Sequence, residues 1–381
     1  MRRIAVITGT RADYGYLKPL MKAIDNDSKL NLTPIITGMH LMYKFGNTYK
    51  IVKKDFSNSI KIPMKLEGDK LRDMGNYLAD GIKQFVKFFS TNNLDIIIVL
   101  GDRSESFAAA IAAMYLNLPI AHINGGDVTG GLVDESIRHS ITKISHLHFV
   151  HTKENAKRVE RMGEEKKRIF TVGALTVDTI KSIKLLSKKE IIQKYNLDLD
   201  KKTFLVVQHP ITTIEDMGYS QMKNLLEVLD KLKEQTIMLY PNCDAGSKNM
   251  INLMREYEKK QYINIFRNLP HEDYLSIMKY SDIMIGNSSS GIIEAPSFKI
   301  PVINIGERQK GRSRSQNIID VKPERVDIIK AINFALTNKN FREKIKKCRN
   351  KFGDGKASVK MVKILKTFKI DQNLIKKQIT Y

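Results

Sequence analysis

Residues 94–105 are Leu-Asp-Ile-Ile-Ile-Val-Leu-Gly-Asp-Arg-Ser-Glu: a short apolar run, a glycine turn and the start of a polar segment. From Ile96 to Leu100 the run lacks the alternation of apolar and polar residues that a half-exposed strand shows. It therefore predicts a strand that is buried on both faces, as in a parallel sheet covered by helices.

Runs of this kind recur in two series, each followed by a turn and a segment of helical period. The first series is 4–8, 32–37, 94–100, 119–123, 147–150 and 169–172. The second series is 204–207, 236–240, 263–266, 283–286 and 301–305. Strands that alternate with helices indicate parallel sheets, so we predict an α/β fold of two doubly wound, Rossmann-like domains.

The pattern loosens into polar, Lys-rich helix after residue 174, which suggests a domain boundary. We place an N-terminal domain at 1–174 and a C-terminal domain at 175–355. A basic, helical segment at 356–381 could pack back on the N-terminal domain. Ligands of such sheets bind beyond the carboxyl ends of the strands, and a cleft between two such domains is where we expect an active site.

The composition excludes several classes of protein. Among 381 residues, 42% are hydrophobic and 28% charged, which is ordinary for a globular protein and excludes a disordered chain or a collagen. Lys and Arg number 64 against 41 Asp and Glu, a net charge of +23. This excess makes nucleic acid, an acidic membrane or a phosphorylated small molecule the first partners to consider.

Cysteine usage and hydropathy indicate a cytoplasmic protein. Only Cys243 and Cys348 occur, which leaves no disulfide framework and no Cys-based zinc site. No apolar run approaches a membrane span, and Gly9 and Arg11 interrupt the start too early for a signal peptide. The histidines His146, His148 and His151 lack an accepted ligand spacing, so we expect no metal.

The first strand is followed by Gly9-Thr10-Arg11-Ala12-Asp13-Tyr14-Gly15. This is neither a Gly-x-Gly-x-x-Gly fingerprint nor a P-loop, which disfavours dinucleotide and Walker-type ATP sites. Arg11 could complete an anion site at a helix N-terminus, or Gly9 could simply form a turn beside a solvated Arg. The motif alone leaves both interpretations open.

Two further motifs of the first half carry acids. Asp102 either caps the helix that starts near Ser104 or serves, beside Arg103, as a catalytic base or an acceptor of sugar hydroxyls. The segment 124–131 holds four glycines and indicates a backbone that a ligand approaches closely. Asp134 and Arg138 follow at i and i+4 spacing, although a first-turn acid is also explained by the helix dipole.

The second half carries a nucleotide-like pattern. His209 ends a strand, where it could contact a phosphate, donate a proton or be structural. Ser288, Ser289, Ser290 and Gly291 supply hydroxyl and backbone donors for an anion, and Glu294, one turn later, could accept hydrogen bonds from a ribose diol. The loop 306–314 adds cations, including Arg308. Together these residues predict a cradle for a nucleotide diphosphate.

Several motifs, taken together, resemble the hydrolysing UDP-N-acetylglucosamine 2-epimerases. In chain order they are Gly9-Thr10-Arg11-Ala12-Asp13-Tyr14, Thr37-Gly38-Met39-His40, Gly101-Asp102-Arg103, Asp134-Glu135-Ser136-Ile137-Arg138-His139, Gln208-His209-Pro210, Asp244-Ala245-Gly246-Ser247, Gly286-Asn287-Ser288-Ser289-Ser290-Gly291 and Asn304-Ile305-Gly306-Glu307-Arg308-Gln309.

The resemblance implies a glycosyltransferase-B-type fold with the active site in the interdomain cleft. It implies hydrolysis of a nucleotide-activated N-acetylated sugar with inversion at C2, through a glycal, for the synthesis of sialic or legionaminic acid. Relatives differ in substrate, so the resemblance implies the UDP sugar, the GDP sugar or a UDP-linked diacetamido-trideoxy sugar. No cofactor, nucleic acid or membrane is implied, and the family suggests a homodimer or homotetramer.

By position, the resemblance makes Asp102 and Asp134 acid/base carboxylates and His209 a cleft histidine near the phosphate. It assigns nucleotide binding to Arg11, Arg103, Asn242, Ser288, Ser289, Glu294 and Arg308. Relatives often carry Glu where this chain has Asn124, or Glu in place of Asp127. An amide cannot act as a proton-transfer base, so a third carboxylate role would pass to Asp127 or elsewhere.

Three alternatives remain at this point. A non-hydrolysing 2-epimerase would keep the nucleotide sugar intact, and a glycosyltransferase of the same fold would transfer the sugar to an acceptor. A nucleic-acid-binding protein would show a basic patch interleaved with aromatic residues, whereas the lysines here are spread along helices.

Overall fold

The computed structural model describes residues 1–43, 46–68, 71–128, 132–210, 217–241 and 246–381. The chain forms two compact units. Unit 1 contains Met1–Lys181 and Phe352–Tyr381, and unit 2 contains Ser182–Lys351. Each unit is built on one parallel sheet, as the sequence predicts.

Unit 1 has a seven-stranded sheet in the order β3-β2-β1-β4-β5-β6-β7. Its strands are β1 (Arg2–Thr8), β2 (Leu30–Ile36), β3 (Ile60–Lys61), β4 (Ile96–Leu100), β5 (Ile120–Ile123), β6 (Leu147–Val150) and β7 (Ile169–Thr171). Its helices are α1 (Arg11–Asp25), α2 (Tyr49–Asp55), α3 (Leu71–Thr91), α4 (Ser104–Tyr115), α5 (Leu132–Ile144), α6 (Lys153–Arg161), α7 (Leu175–Ser182), α16 (Ala357–Thr367) and α17 (Gln372–Ile375).

Unit 2 has a six-stranded sheet in the order β10-β9-β8-β11-β12-β13. Its strands are β8 (Thr203–Val207), β9 (Gln235–Leu239), β10 (Ile263–Phe266), β11 (Ile283–Gly286), β12 (Val302–Ile305) and β13 (Ile318–Val321). Its helices are α8 (Lys188–Tyr195), α9 (Met217–Leu232), α10 (Ser247–Glu256), α11 (His271–Tyr280), α12 (Ser289–Ile293), α13 (Ala295–Phe298), α14 (Arg325–Thr337) and α15 (Lys339–Lys346).

Both faces of each sheet are covered. In β1, Ile4 and Val6 pack into a buried apolar cluster that includes Leu17 of α1, while Ala5 and Ile7 pack into a second cluster that includes Phe85 of α3. The central strand β8 of unit 2 divides its side chains between two clusters in the same way. Continuous apolar runs form these strands because neither face meets water.

The strand order reverses beside β1 in unit 1 and beside β8 in unit 2. At such a reversal the loops leave the carboxyl edge in opposite directions and open a crevice for ligands. The loops after β1 and β4 carry the Gly9 and Gly101 motifs, and those after β8 and β11 carry the His209 and Ser288 motifs. The topology therefore brings the predicted motifs to one edge of each sheet.

The division into units differs from the predicted boundaries at 174/175 and 355/356. Helix α7 lies in unit 1 up to Lys181, because Leu175 joins the apolar cluster on one face of the first sheet. The chain re-enters unit 1 at Phe352, whose carbonyl accepts a hydrogen bond from Ala174 N at 2.6 Å. None of the helices in the described ranges is long and apolar enough to cross a membrane.

The closing segment belongs to unit 1, and one buried carboxylate bonds the start of its first helix. Asp178 of α7 accepts hydrogen bonds from Ala357 N at 2.9 Å, Ser358 N at 2.7 Å and Ser358 Oγ at 2.6 Å. These donors begin α16, where the backbone N–H groups have no partner within the helix. Asp178 is 4% exposed, so water cannot replace it.

We expect Asp178→Ala to destabilise unit 1 by about 2 kcal/mol, because it strips buried donors of a charged acceptor. The measurement is the free energy of unfolding in urea. Asp354→Ala is the matched control, since this exposed acid precedes the same helix, and it should change stability by less than about 0.5 kcal/mol. Equal effects of the two substitutions would contradict the capping role.

Candidate active site

A buried carboxylate, Glu105, organises the carboxyl edge of the first sheet. It lies in the first turn of α4 and is 2% exposed. Its Oε1 accepts the Tyr77 hydroxyl at 2.8 Å, and its Oε2 accepts Arg103 Nε at 3.2 Å. A buried charge requires such partners, so Glu105 fixes the guanidinium of Arg103. The sequence motifs do not identify Glu105 or Tyr77 as site residues.

Two motif glycines make room for Glu105. A Cβ at Gly9 would lie 2.9 Å from the Glu105 Cδ, and a Cβ at Gly38, where φ is +56°, would overlap Oε1. Gly9 itself has no positive φ. The turn that the sequence suggests is therefore not the reason for this glycine. Instead, the loops after β1 and β2 both close over the same carboxylate.

Arg103 also faces an acid of the first motif. Its Nε lies 3.7 Å from Asp13 Oδ2. Burial raises the pKa of Asp13 to about 6, although the nearby Arg103 opposes the shift. Thr10 caps α1 by accepting a hydrogen bond from Asp13 N at 3.1 Å. Arg11, in contrast, is exposed at the first position of α1.

His40 is a neutral connection between two loops. Its Nε2 lies 3.0 Å from Thr8 Oγ1, and its Nδ1 lies 2.7 Å from Thr48 Oγ1. Burial lowers the pKa of His40 to about 4, so the ring is uncharged at neutral pH. The ring holds the loop after β2 against the end of β1.

Asp102 forms an ion pair with Arg138 of α5. The side chain of Arg138 is 5% exposed, and its Nη1 also donates to the backbone carbonyl of Asp127 at 3.3 Å. One guanidinium thus contacts the carboxylate of Asp102 and the backbone of Asp127. Asp102 does not cap α4, whose N-cap position is occupied by Arg103. That alternative is therefore wrong.

Asp134 is exposed in the first turn of α5, one turn before Arg138. Asp134 therefore lies on the same helix as Arg138, the residue that pairs with Asp102. Residues 129–131 of the glycine-rich stretch lie outside the described residues. Of the stretch before them, Asp127 is buried, with 6% of its surface exposed.

Asn124 occupies a backbone position that suits an amide. Its φ is +71°, in the left-handed region that Asn tolerates better than most residues. The residue two positions earlier, His122, ties β5 to its neighbours: Nε2 lies 2.8 Å from the Gly101 carbonyl and Nδ1 3.1 Å from Thr142 Oγ1. Burial lowers the pKa of His122 to about 3, so it is a neutral connector.

The corresponding edge of unit 2 is organised by Asn287, which is fully buried. Its Oδ1 accepts His209 N at 2.7 Å, and its Nδ2 donates to the His209 carbonyl at 2.9 Å. The Asn287 carbonyl accepts Gln309 Nε2 at 2.9 Å and Arg308 Nη1 at 3.2 Å. One amide residue thus joins the loops after β8, β11 and β12.

The predicted residues His209 and Arg308 therefore lie in one network. Burial lowers the pKa of His209 to about 4, and the Arg308 cation contributes to the shift. His209 is consequently neutral at physiological pH and acts as a hydrogen-bonding group. In the cation-rich loop, Lys310 pairs with Glu307 at 2.9 Å and Arg314 with Asp320 at 3.1 Å.

The serine-rich motif places Ser288 as the N-cap of α12, where its Oγ accepts Ser290 N at 3.3 Å. Ser289 begins the helix, and Glu294 follows it, 5% exposed. A Cβ at Gly291 would lie 2.9 Å from Val302 Cγ1, so this glycine is explained by packing against β12. Asn242 lies outside the described residues.

Within the described parts of the chain no group of three or more His, Cys, Asp or Glu could hold a metal ion. Two of the clustered histidines serve as hydrogen-bonding residues. His146 Nδ1 accepts Ile120 N at 3.1 Å, and His148 Nε2 lies 3.0 Å from the buried Glu164.

The fold and the two edges define a two-unit, Rossmann-like protein that presents acids and cations beyond the strand ends. The family model described as UDP-N-acetylglucosamine 2-epimerase matches residues 22–366. The chain belongs to this family, and the resemblance drawn from the motifs is confirmed.

The chain is similar to hydrolysing members of the family. It is 37% identical over 378 residues to UDP-N,N'-diacetylbacillosamine 2-epimerase (hydrolyzing) of Legionella pneumophila, with 99% of each chain covered. It is 40% identical over 322 residues to GDP/UDP-N,N'-diacetylbacillosamine 2-epimerase (hydrolyzing) of Campylobacter jejuni, with 84% of each covered.

A solved structure confirms the fold. The Neisseria meningitidis UDP-GlcNAc 2-epimerase bound to UDP-GlcNAc superposes with a TM-score of 0.80 at 19% identity. The match covers 96% of this chain and 99% of that one. The predicted glycosyltransferase-B-type class of two Rossmann-like units is therefore correct.

The raised pKa of Asp13 predicts a pH-dependent stability. Because the folded state binds this proton more tightly than the unfolded chain, whose Asp pKa is 3.8, stability falls as pH rises from about 4 to about 7. Asp13→Asn removes the buried negative charge that causes this fall in stability. It should therefore raise the free energy of unfolding by up to about 3 kcal/mol at pH 7.5. Near pH 3.5 the substitution should change little.

Urea unfolding at both pH values measures this difference. Asp25→Asn is the matched control, because Asp25 is exposed at the other end of α1. It should give the same small change at both pH values. If Asp13→Asn destabilises the protein at pH 7.5, the carboxylate is stabilised by Arg103 more than it is penalised by burial.

Proposed function

We propose that this protein hydrolyses a nucleotide-activated N-acetylated sugar with inversion at C2, releasing the nucleoside diphosphate and a free manno-configured sugar. Family membership and the hydrolysing relatives support this function. The structural observation that carries it is the ion pair between Asp102 and the buried Arg138, beside Asp127, at the carboxyl edge of the first sheet.

The reaction needs two proton transfers at one carbon. A base removes the C2 proton while the C1–O bond to the diphosphate breaks, and a C1=C2 double bond forms. Water then adds its hydroxyl to C1, and an acid returns a proton to C2 on the opposite face. The sum is the addition of one water to the substrate, with the configuration at C2 inverted.

We assign these transfers to Asp102 and Asp134. Inversion requires groups on the two faces of the sugar ring, and the loop after β4 and the first turn of α5 supply separate carboxylates. The Arg138 ion pair holds Asp102 in one orientation, which a proton-transfer group needs. Asn124 cannot transfer a proton as a carboxylate does, so we assign the third acidic role to Asp127.

The departing diphosphate requires cations and donors. We assign Arg11 and Arg103 of unit 1 to this role. From unit 2 we assign Arg308, Asn242 and the donors of residues 288–291, with Glu294 for the ribose. His209, neutral because burial lowers its pKa to about 4, is assigned a hydrogen bond to the phosphate.

The names of the relatives favour a UDP-linked diacetamido sugar as the first substrate to test, followed by UDP-N-acetylglucosamine and the GDP sugar. The free sugar would then serve the synthesis of sialic- or legionaminic-acid-type sugars. We further infer that the protein acts in the cytoplasm as a homodimer or homotetramer, and that it requires no cofactor.

Incubation in deuterated water tests the reaction. NMR should show free nucleoside diphosphate together with a manno-configured sugar that carries deuterium at C2, because solvent supplies the returned proton. Reactions without protein serve as controls. An intact epimerised nucleotide sugar would indicate the non-hydrolysing reaction, and no turnover of any of the three substrates would refute the proposal.

Asp102→Asn and Asp134→Asn should each lower kcat by about 10²–10⁴-fold, the usual contribution of a general acid or base. Affinity for UDP, measured by calorimetry, should stay within about twofold, because neither residue is assigned to the nucleotide. Glu160→Gln on the exposed face of α6 is the control. Near-normal turnover in either Asp variant would remove that residue from the mechanism.

A further inference from the structure

Two residues of α11 contact the ends of the serine-rich motif in unit 2. His271 and Tyr274 lie one helical turn apart on α11, and Ser290 and Glu294 lie one turn apart along α12 and its C-cap. His271 Nε2 is 3.0 Å from Glu294 Oε1. The Tyr274 hydroxyl donates to Ser290 Oγ at 2.8 Å, and the Ser290 hydroxyl donates to Glu294 Oε2.

The direction of these bonds is fixed by the number of protons available. Tyr274 gives its only proton to Ser290, so Ser290 is free to give its own proton to Glu294. The result is an ordered chain from Tyr274 through Ser290 to one carboxylate oxygen. His271 holds the other oxygen, so both ends of the carboxylate are oriented.

The burial of the carboxylate makes this orientation matter. The Glu294 side chain is only 7% exposed, whereas that of His271 is 35% exposed. Each carboxylate oxygen can accept about two hydrogen bonds, so each keeps capacity for a further donor. A fixed carboxylate with one free lone pair on each oxygen suits a vicinal pair of hydroxyls, because two bonds then form without loss of side-chain rotation.

We propose that His271 and Tyr274 are positioning residues that orient Glu294 for the ribose hydroxyls of the nucleotide, His271 directly and Tyr274 through Ser290. This orientation sets a preference for ribonucleotides over deoxyribonucleotides. The inference rests on the proposed function, in which Glu294 binds the ribose.

Calorimetric titration with UDP and with 2′-deoxy-UDP separates orientation from general stability. The wild-type protein should prefer UDP by about tenfold or more, as the loss of a hydrogen bond to a charged group predicts. His271→Ala should weaken UDP binding by about fivefold and leave 2′-deoxy-UDP within about twofold. Tyr274→Phe, which keeps the ring, should reduce the preference by a smaller factor.

Two further variants control the experiment. His271→Gln keeps a donor near Oε1 and should restore part of the preference. Lys279→Ala, on the exposed side of the same helix, should leave both affinities unchanged. If His271→Ala and Tyr274→Phe weaken both ligands equally, or neither, the positioning role is overturned.

Glu294→Ala distinguishes this inference from the assignment on which it rests. Loss of the preference in Glu294→Ala supports the ribose role, whatever His271→Ala does. A preference that survives in Glu294→Ala would overturn the ribose role and the inference together. A preference that is lost in Glu294→Ala and intact in His271→Ala and Tyr274→Phe would overturn the inference alone.

Discussion

A carboxylate that is taken out of water must be neutralised and hydrogen-bonded where it lies, and in unit 1 this constraint falls on Glu105. Its partners come from separate parts of the chain: Tyr77 from α3 and Arg103 from the loop after β4. Gly9 and Gly38 give it the space that side chains would fill. Glu105 therefore sets the position of Arg103 and its distance to Asp13, although Glu105 contacts no substrate in the proposed mechanism.

In unit 2 the buried polar group at the strand ends is a neutral amide, Asn287, and it too needs hydrogen-bond partners. Asn287 both accepts from the backbone N–H and donates to the carbonyl of His209, so the amide matches both groups of one peptide residue. An aspartate in its place could only accept, and the buried carbonyl of His209 would lose its donor. A polar side chain buried at the strand ends thus fixes the loops in each unit. A carboxylate suits unit 1, where its partners are donors, and an amide suits unit 2, where the partners are a donor and an acceptor.

Much of this architecture could be predicted from the sequence, because strands buried on both faces leave continuous apolar runs. Those predicted at 147–150, 263–266 and 283–286 have the observed bounds. The sequence pattern does not predict the two edge strands β3 and β13. β3 has only two residues, and β13 is half exposed and carries Asp320, so neither forms an apolar run. The motifs predict a candidate site at the strand ends. The pairing of Glu105 with Tyr77, or of Glu294 with His271, joins residues from different elements, and no local sequence pattern records it.

The net positive charge overstates how strongly the candidate site attracts anions. The buried or half-buried cations of the first edge already have counter-charges, Arg138 with Asp102 and Arg103 with Glu105. Such pairs fix the direction of the guanidinium groups but add little net attraction for an anionic ligand, because the carboxylate of each pair offsets the field of its cation. An exposed arginine such as Arg11 keeps its long-range attraction, but water and salt weaken it. Selectivity for a nucleotide sugar over other polyanions must therefore come from the directions in which these fixed groups point, and those directions depend on the buried residues behind them.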